Sequence, residues 1–108
     1  MENLTDENLF KQKIAEKPLV FIQFGSETCM PCGALRQKLD SWLSSHEQAA
    51  GVYIPVEDFP ALAARESVFT VPTICLYAEG KLALRESGYF SLEDLLHSAE
   101  RYCGFLSE

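Results

Sequence analysis

Hydrophobic and polar positions along the chain follow two periods, and the change of period separates predicted strands from predicted helices. Residues 19–24 form a continuous β-favouring run with one polar member, typical of a central strand that is covered on both faces. Residues 52–56 predict a second strand. Residues 73–77 and 82–85 predict an antiparallel hairpin in which Gly80 supplies a positive φ. Residues 1–4 are a candidate for one further short edge strand.

Helical spacing accounts for most of the remaining chain. Thr5 is the predicted cap of a first helix that Pro18 closes. A long helix is expected from the first cysteine pair to about residue 50, and a short one over 60–67. Ser91 is the predicted cap of a last helix. The apolar stripes of the long and last helices are Leu35, Leu39, Trp42, Leu43 and His46, and Leu92, Leu95, Leu96, Ala99, Tyr102, Cys103 and Leu106.

The order of these elements is α-β-α-β-α-β-β-α. Strands interleaved with helices predict an α/β fold with right-handed crossovers, and the terminal hairpin adds an antiparallel edge. We therefore expect a central mixed β-sheet of four to five strands with helices on both faces. A chain of 108 residues suits a single domain over residues 1–108.

Charge and composition narrow the range of binding partners and cellular locations that we expect. The chain has 9 Lys and Arg against 16 Asp and Glu, a net charge of −7, which disfavours nucleic acid and anionic membrane surfaces. Its acidic N-terminus lacks the basic start and apolar run of a secretory signal, and no apolar run reaches the roughly 18 residues of a membrane span. The cytoplasm is the expected location.

The segment Cys29-Met30-Pro31-Cys32 lies where the buried strand gives way to the long helix. Unpaired N–H groups and the positive end of the helix dipole favour a thiolate at Cys29, just outside the first turn. Pro31 is tolerated there because the first turn leaves its missing N–H without a partner anyway. A nucleophilic thiolate beside a second thiol is the minimum requirement for a cycle of thiol–disulfide exchange.

The chain resembles the thioredoxin family over essentially its whole length. Four features carry the resemblance: the Cys-x-Pro-Cys pair after a buried strand, Val71-Pro72-Thr73 forty residues after Cys32, Gly80 in the hairpin turn, and Gly88 after the last strand. The resemblance implies a thioredoxin fold and a cis bond before Pro72, which shapes the substrate groove and keeps metals off the dithiol. It implies that Cys29 attacks a target disulfide and that Cys32 resolves the mixed intermediate.

The same resemblance implies the partners. Protein disulfides would be the substrates, a thioredoxin-reductase-type enzyme the electron donor, and the chain's own disulfide the redox group, with no further cofactor and a monomeric state. The residue before a cis-proline leaves backbone groups exposed, so Val71 is expected to pair with an extended target peptide. We expect Thr28, Met30, Thr70 and Gly88 to form the contact rim.

The chain also departs from that family. Gly25 and Thr28 stand where tryptophans are usual. Gln23 and Tyr53 stand in place of a buried acid and its partner lysine. Gln23 donates and accepts hydrogen bonds but takes no proton at neutral pH, which weakens a general-base route to Cys32. Glu27 is the nearest acid in sequence, and a solvated loop carboxylate is its expected state.

Three alternatives to a protein-disulfide reductase stay open. Residue types do not separate a reductase from an oxidase or isomerase, because the direction depends on redox potential and partner. The departures from the family would also suit a non-catalytic adaptor that keeps the fold for protein binding. Metal binding is disfavoured because one Cys-x-x-Cys pair supplies half of a tetrahedral ligand set. Cys75 and Cys103 are expected to be buried small hydrophobes, and Trp42 to pack in the core.

Overall fold

The computed structural model describes residues 1–106, with side chains described through residue 105. The elements, in chain order, are β1 (Glu2–Asn3), a 3-10 turn (Glu7–Leu9), α1 (Phe10–Ile14), β2 (Leu19–Gly25), α2 (Met30–Leu43), β3 (Ala49–Pro55), α3 (Pro60–Arg65), β4 (Thr73–Ala78), β5 (Lys81–Ser87) and α4 (Leu92–Leu106). Within the described residues, no helix combines the length and hydropathy that a bilayer span requires.

The strands form one sheet in the order β1-β3-β2-β4-β5. β3 pairs parallel with both β1 and β2, while β4 pairs antiparallel with β2 and with β5. Every residue of β2 is buried because neighbouring strands and covering helices enclose it. The expected mixed sheet is confirmed with five strands, and the edge strand near the N-terminus is β1.

Two apolar clusters lie on opposite faces of the sheet, because alternate strand residues point to opposite sides. Val20 and Cys75 pack with residues of α1 and α3 on one face. Leu19 and Phe21 pack with residues of α2 and α4 on the other. Trp42 packs against this second cluster, with its ring centroid 5.5 Å from that of Phe21 in an edge-to-face arrangement. The expected core packing is met in part, because Trp42 is only partly buried and its Nε1 donates to Glu100 at 3.0 Å.

The long helix is shorter than its spacing predicts. It ends at Leu43 rather than near residue 50, and β3 begins earlier than predicted. The hydroxyls of Ser44 and Ser45 donate to the carbonyls of residues 41 and 42, which competes with continuation of the helix. His46 lies past the helix end, and its ring stacks on Trp42 with centroids 3.6 Å apart.

The predicted helix caps have mixed outcomes. The prediction for Thr5 is wrong: Asp6 caps the 3-10 turn, its carboxylate accepting from the N–H of Asn8 at 2.9 Å. Ser91 does cap α4 by accepting from the N–H of Asp94 at 3.1 Å. The side chain of Leu106, the last member of the predicted stripe, lies outside the described side chains.

The hairpin between β4 and β5 turns through Glu79 and Gly80, which both have positive φ, at 52° and 80°. A two-residue turn of this kind matches the twist of the strands it joins, and glycine adopts its geometry without a steric penalty. The turn also packs back on the body, since the N–H of Glu79 donates to the carbonyl of Pro18 at 2.8 Å. The predicted role of Gly80 is therefore confirmed.

Candidate active site

The two cysteines of the motif lie at the N-terminus of α2. Cys29 is the N-cap, with non-helical φ and ψ of −86° and 103°, and Pro31 lies in the first helical positions. Cys32 follows within the first turn, and its N–H donates to the Cys29 carbonyl at 3.2 Å. The sulfurs of Cys29 and Cys32 are joined in a disulfide, with Cα atoms 5.4 Å apart.

The two sulfurs differ in access. Cys29 is partly exposed at the tip of the helix, whereas Cys32 is 1% exposed. Cys29 is therefore the more accessible of the two to an incoming thiolate or disulfide. The free N–H groups of the first turn face this tip and stabilise negative charge there.

Gln23 lies beneath the pair as one of the fully buried polar side chains. It points toward α2 because it shares its sheet face with Leu19 and Phe21. Its Nε2 donates to the carbonyl of Cys32 at 2.9 Å. Its Oε1 is buried and has no hydrogen-bond partner in the part of the chain that the structure describes.

The segment before β4 lies beside the disulfide. The peptide bond between Val71 and Pro72 is cis, and the Pro72 carbonyl accepts from the N–H of Gly88 at 2.9 Å. The Thr73 hydroxyl donates to the carbonyl of Thr70 at 2.7 Å, which fixes the preceding loop. Within residues 1–106 the backbone N–H and C=O of Val71 have no hydrogen-bond partner.

A groove of about 670 Å³ runs between the tip of α2 and this segment. It brings together all five residues predicted to contact substrate, which are Thr28, Met30, Thr70, Val71 and Gly88. Of the two cysteines, Cys29 lines this groove.

Sequence reasoning missed three apolar residues of the groove: Leu35, Tyr89 and Phe90. Tyr89 is fully exposed and Met30 is 91% exposed, so the groove has an apolar rim that faces solvent. Two consecutive aromatic residues directly after Gly88 were the available signal in the sequence. Exposed large apolar side chains around a reactive group are typical of a protein-binding surface.

A second cleft, of about 510 Å³, lies on the other side of the disulfide. Tyr53 fills the space above Gly25, where a Cβ would lie 2.6 Å from the ring carbon Cζ. The Arg36 guanidinium lies 4.5 Å from the centroid of the same ring. Partial burial raises the pKa of the Tyr53 phenol, so it is neutral at physiological pH.

The carboxylate of Glu57 binds the loop before the cysteine pair. Its Oε2 accepts from the N–H of Glu27 at 3.2 Å and from the hydroxyl of Ser26 at 3.0 Å. Hydrogen bonds from backbone N–H groups, with that of Glu27 first, lower the pKa of Glu57 and keep it ionised. The Glu27 side chain is exposed, as expected of a solvated loop carboxylate.

Three comparisons with known proteins agree on one family. The family model described as Thioredoxin matches residues 1–101. A thioredoxin-like protein from Bacillus subtilis is 30% identical over 88% of this chain and 81% of its own length. Thioredoxin-1 from Schizosaccharomyces pombe is 25% identical over 75% of this chain and 79% of its own. The solved structure of Fasciola hepatica thioredoxin superposes with a TM-score of 0.83 at 24% identity, covering 94% of this chain and 99% of that one.

A mixed sheet flanked by helices, with a Cys-x-x-Cys disulfide at the N-terminus of the helix after its central strand, defines a thiol–disulfide oxidoreductase with a thioredoxin fold. This class works through its own disulfide. The chain belongs to the thioredoxin family, since the family model covers nearly all of it. Among the described residues, no three His, Cys, Asp or Glu side chains are grouped so that they could hold a metal ion.

Proposed function

We propose that the chain acts as a reductase of protein disulfides, as a monomeric single domain in the cytoplasm. The observation that carries this proposal is the asymmetric pair at the tip of α2: a half-buried Cys29 that opens on a groove, joined to a Cys32 that is 1% exposed. An accessible nucleophile and a shielded partner are the geometry that two successive exchange steps require.

In the first step the Cys29 thiolate attacks one sulfur of the target disulfide. The target's S–S bond breaks, a mixed disulfide forms, and the leaving sulfur takes up a proton. In the second step Cys32 loses its proton and attacks Cys29, which releases the target as a dithiol and leaves the Cys29–Cys32 disulfide seen in the structure. Two electrons from a thioredoxin-reductase-type donor restore the dithiol.

The groove would hold the target as an extended segment. The unpaired backbone of Val71 is suited to hydrogen-bond with a passing strand, in the manner of strand addition. Thr28, Thr70 and Gly88 would contact this segment, since they line the groove together with Pro72 and Cys29. Recognition would rest on backbone atoms and would therefore tolerate many target sequences.

The exposed side chain of Met30 would add a flexible apolar contact beside the attacked sulfur. Pro31 would fix the backbone between the two cysteines. Gln23 would support Cys32 from below through the hydrogen bond to its carbonyl.

Equilibration of the purified protein with a dithiothreitol series tests the direction of electron flow. A potential below about −230 mV, together with dithiothreitol-driven reduction of insulin, supports a reductase. A potential near −120 mV is the range of disulfide-forming oxidants and would overturn the proposal. A pair that no reductase and no dithiol turns over would instead favour the non-catalytic adaptor.

A further inference from the structure

The buried amide of Gln23 is half satisfied. Its Nε2 donates to the Cys32 carbonyl, while Oε1 is the one buried side-chain nitrogen or oxygen without a partner among the side chains that the structure describes. A buried acceptor left without a donor destabilises the fold, so such atoms are rare in native proteins. In this structure the pair above it is oxidised.

The orientation of the amide is fixed by its surroundings. The Cys32 carbonyl only accepts hydrogen bonds, so the amide must present its NH2 group there, at 2.9 Å. A flipped amide would set two oxygens against each other and would lose that bond. The amide therefore has the orientation in which Oε1 is left without a partner.

The neighbouring strands offer Oε1 no replacement donor. In the sheet register Gln23 lies between Ile74 of β4 and Tyr53 of β3. Ile74 is apolar, and the Tyr53 hydroxyl lies over Gly25, two residues further along β2. The group near the amide whose hydrogen-bonding capacity changes with redox state is Cys32, because a disulfide sulfur has no proton and a thiol has one.

We propose that Gln23 is a positioning residue whose Oε1 accepts a hydrogen bond from the Cys32 thiol in the reduced protein, so that the buried amide favours the dithiol over the disulfide. This inference rests on the redox cycling of the pair proposed above. When a reductant dithiol reduces the protein, the Cys29–Cys32 bond breaks, two electrons and two protons are taken up, and the reductant becomes a disulfide. One of the two protons lies on Cys32 and satisfies Oε1.

Gln23→Met tests this coupling, because methionine has a similar length and no hydrogen-bonding amide. Gln23→Met removes the hydrogen bond to the Cys32 carbonyl in both redox states, so this loss cancels from the redox equilibrium. It also removes the Oε1 acceptor, which has a donor only in the dithiol. The equilibrium constant with dithiothreitol should shift about three- to tenfold toward the protein disulfide, which corresponds to a potential about 15 to 30 mV more negative. An unchanged or less negative potential would overturn the inference.

Thr73→Val is the matched control. Thr73 is equally buried and its hydroxyl is already satisfied by the Thr70 carbonyl and Ser87. Its loss should lower stability in both redox states and leave the potential unchanged. If Thr73→Val moves the potential as much as Gln23→Met does, the effect is general destabilisation and the inference fails.

A measurement on the unaltered protein covers the case in which Gln23→Met does not fold. The carbon-13 resonance of Gln23 Cδ should move downfield when the disulfide is reduced, since a carbonyl that gains a hydrogen bond is deshielded. An unmoved resonance contradicts the inference. If the resonance does not move and the wild-type protein still cycles normally, only the role of Gln23 is rejected. If the cysteine pair never cycles, the proposed function is rejected.

Discussion

The chain carries two pairs of cysteines in opposite environments. Cys29 and Cys32 form a disulfide at a helix N-terminus that opens on a groove. Cys75 and Cys103 are buried, 1% and 6% exposed, in clusters on opposite faces of the sheet. Burial raises the pKa of Cys75 to about 11 and also raises that of Cys103. The residue type is the same, and position alone decides which thiol is reactive.

The largest expected contrast is in turnover. Cys29→Ser should lower dithiothreitol-driven insulin reduction at least ~1000-fold, because a hydroxyl does not replace the thiolate nucleophile. The double substitution of Cys75 and Cys103 by alanine should keep activity within about twofold when compared per folded molecule. Initial rates of insulin turbidity measure both. Loss of activity in the alanine double variant would break the contrast.

A second contrast concerns release of the target. Cys32→Ser should retain the first exchange step and accumulate mixed disulfides, since attack by an external thiol lacks the proximity of an internal one. Release should slow at least ~100-fold. Mass spectrometry of the variant after incubation with native, disulfide-bonded insulin should show covalent adducts. The same experiment with Cys29→Ser should show none. Equal adduct yields from the two variants would reverse the assigned roles.

A third contrast lies in alkylation of the reduced protein. With a pKa of about 11, only about 0.1% of Cys75 is thiolate at pH 8. Burial raises this pKa, so the reactive form is suppressed below pH 11 and grows about tenfold per pH unit toward it. Iodoacetamide at pH 8 should modify Cys29 at least ~100-fold faster than Cys75, as followed by peptide mass spectrometry.

Denaturant is the control for that experiment. It should abolish the protection of Cys75, because unfolding removes both the burial and the pKa shift. Labelling of Cys75 in the native protein at the rate of the unfolded chain would show that β4 opens readily.

The smallest expected effect is on stability. Cys75→Ser replaces a small apolar group in the centre of the sheet with a hydroxyl, and should cost about 1–3 kcal/mol in the free energy of unfolding. Urea denaturation of the reduced protein measures this. Cys29→Ser in the same assay should cost less than ~0.5 kcal/mol, since Cys29 is partly exposed. A larger loss for Cys29→Ser than for Cys75→Ser would contradict the assignment of structural and reactive thiols.

Local signals account for what sequence predicts well here. The apolar run of β2, the hairpin at Gly80 and the cysteine motif before α2 each depend on a few adjacent residues. The same holds for the Ser91 cap of α4, which satisfies an N–H three residues away. These features are predictable because their causes lie within one or two turns of the chain.

Long-range contacts account for most features of the structure that were not predicted from the sequence. The early start of β3 depends on pairing of Ala49 with Leu19 of β2. Tyr89 and Phe90 reach the groove only when the whole sheet has folded. The orphaned oxygen of Gln23 follows from a contact between β2 and α2, which the residue type alone does not reveal.

The packing of Tyr53 over Gly25 couples the side-chain sizes of two positions that are far apart in the sequence. A larger residue at position 25 collides with the phenol ring unless that ring moves or position 53 loses its bulk. A smaller residue at position 53 therefore makes a larger residue at position 25 easier to accommodate. An engineer who wishes to install a fluorescent tryptophan reporter at position 25 should begin from a Tyr53→Ala background.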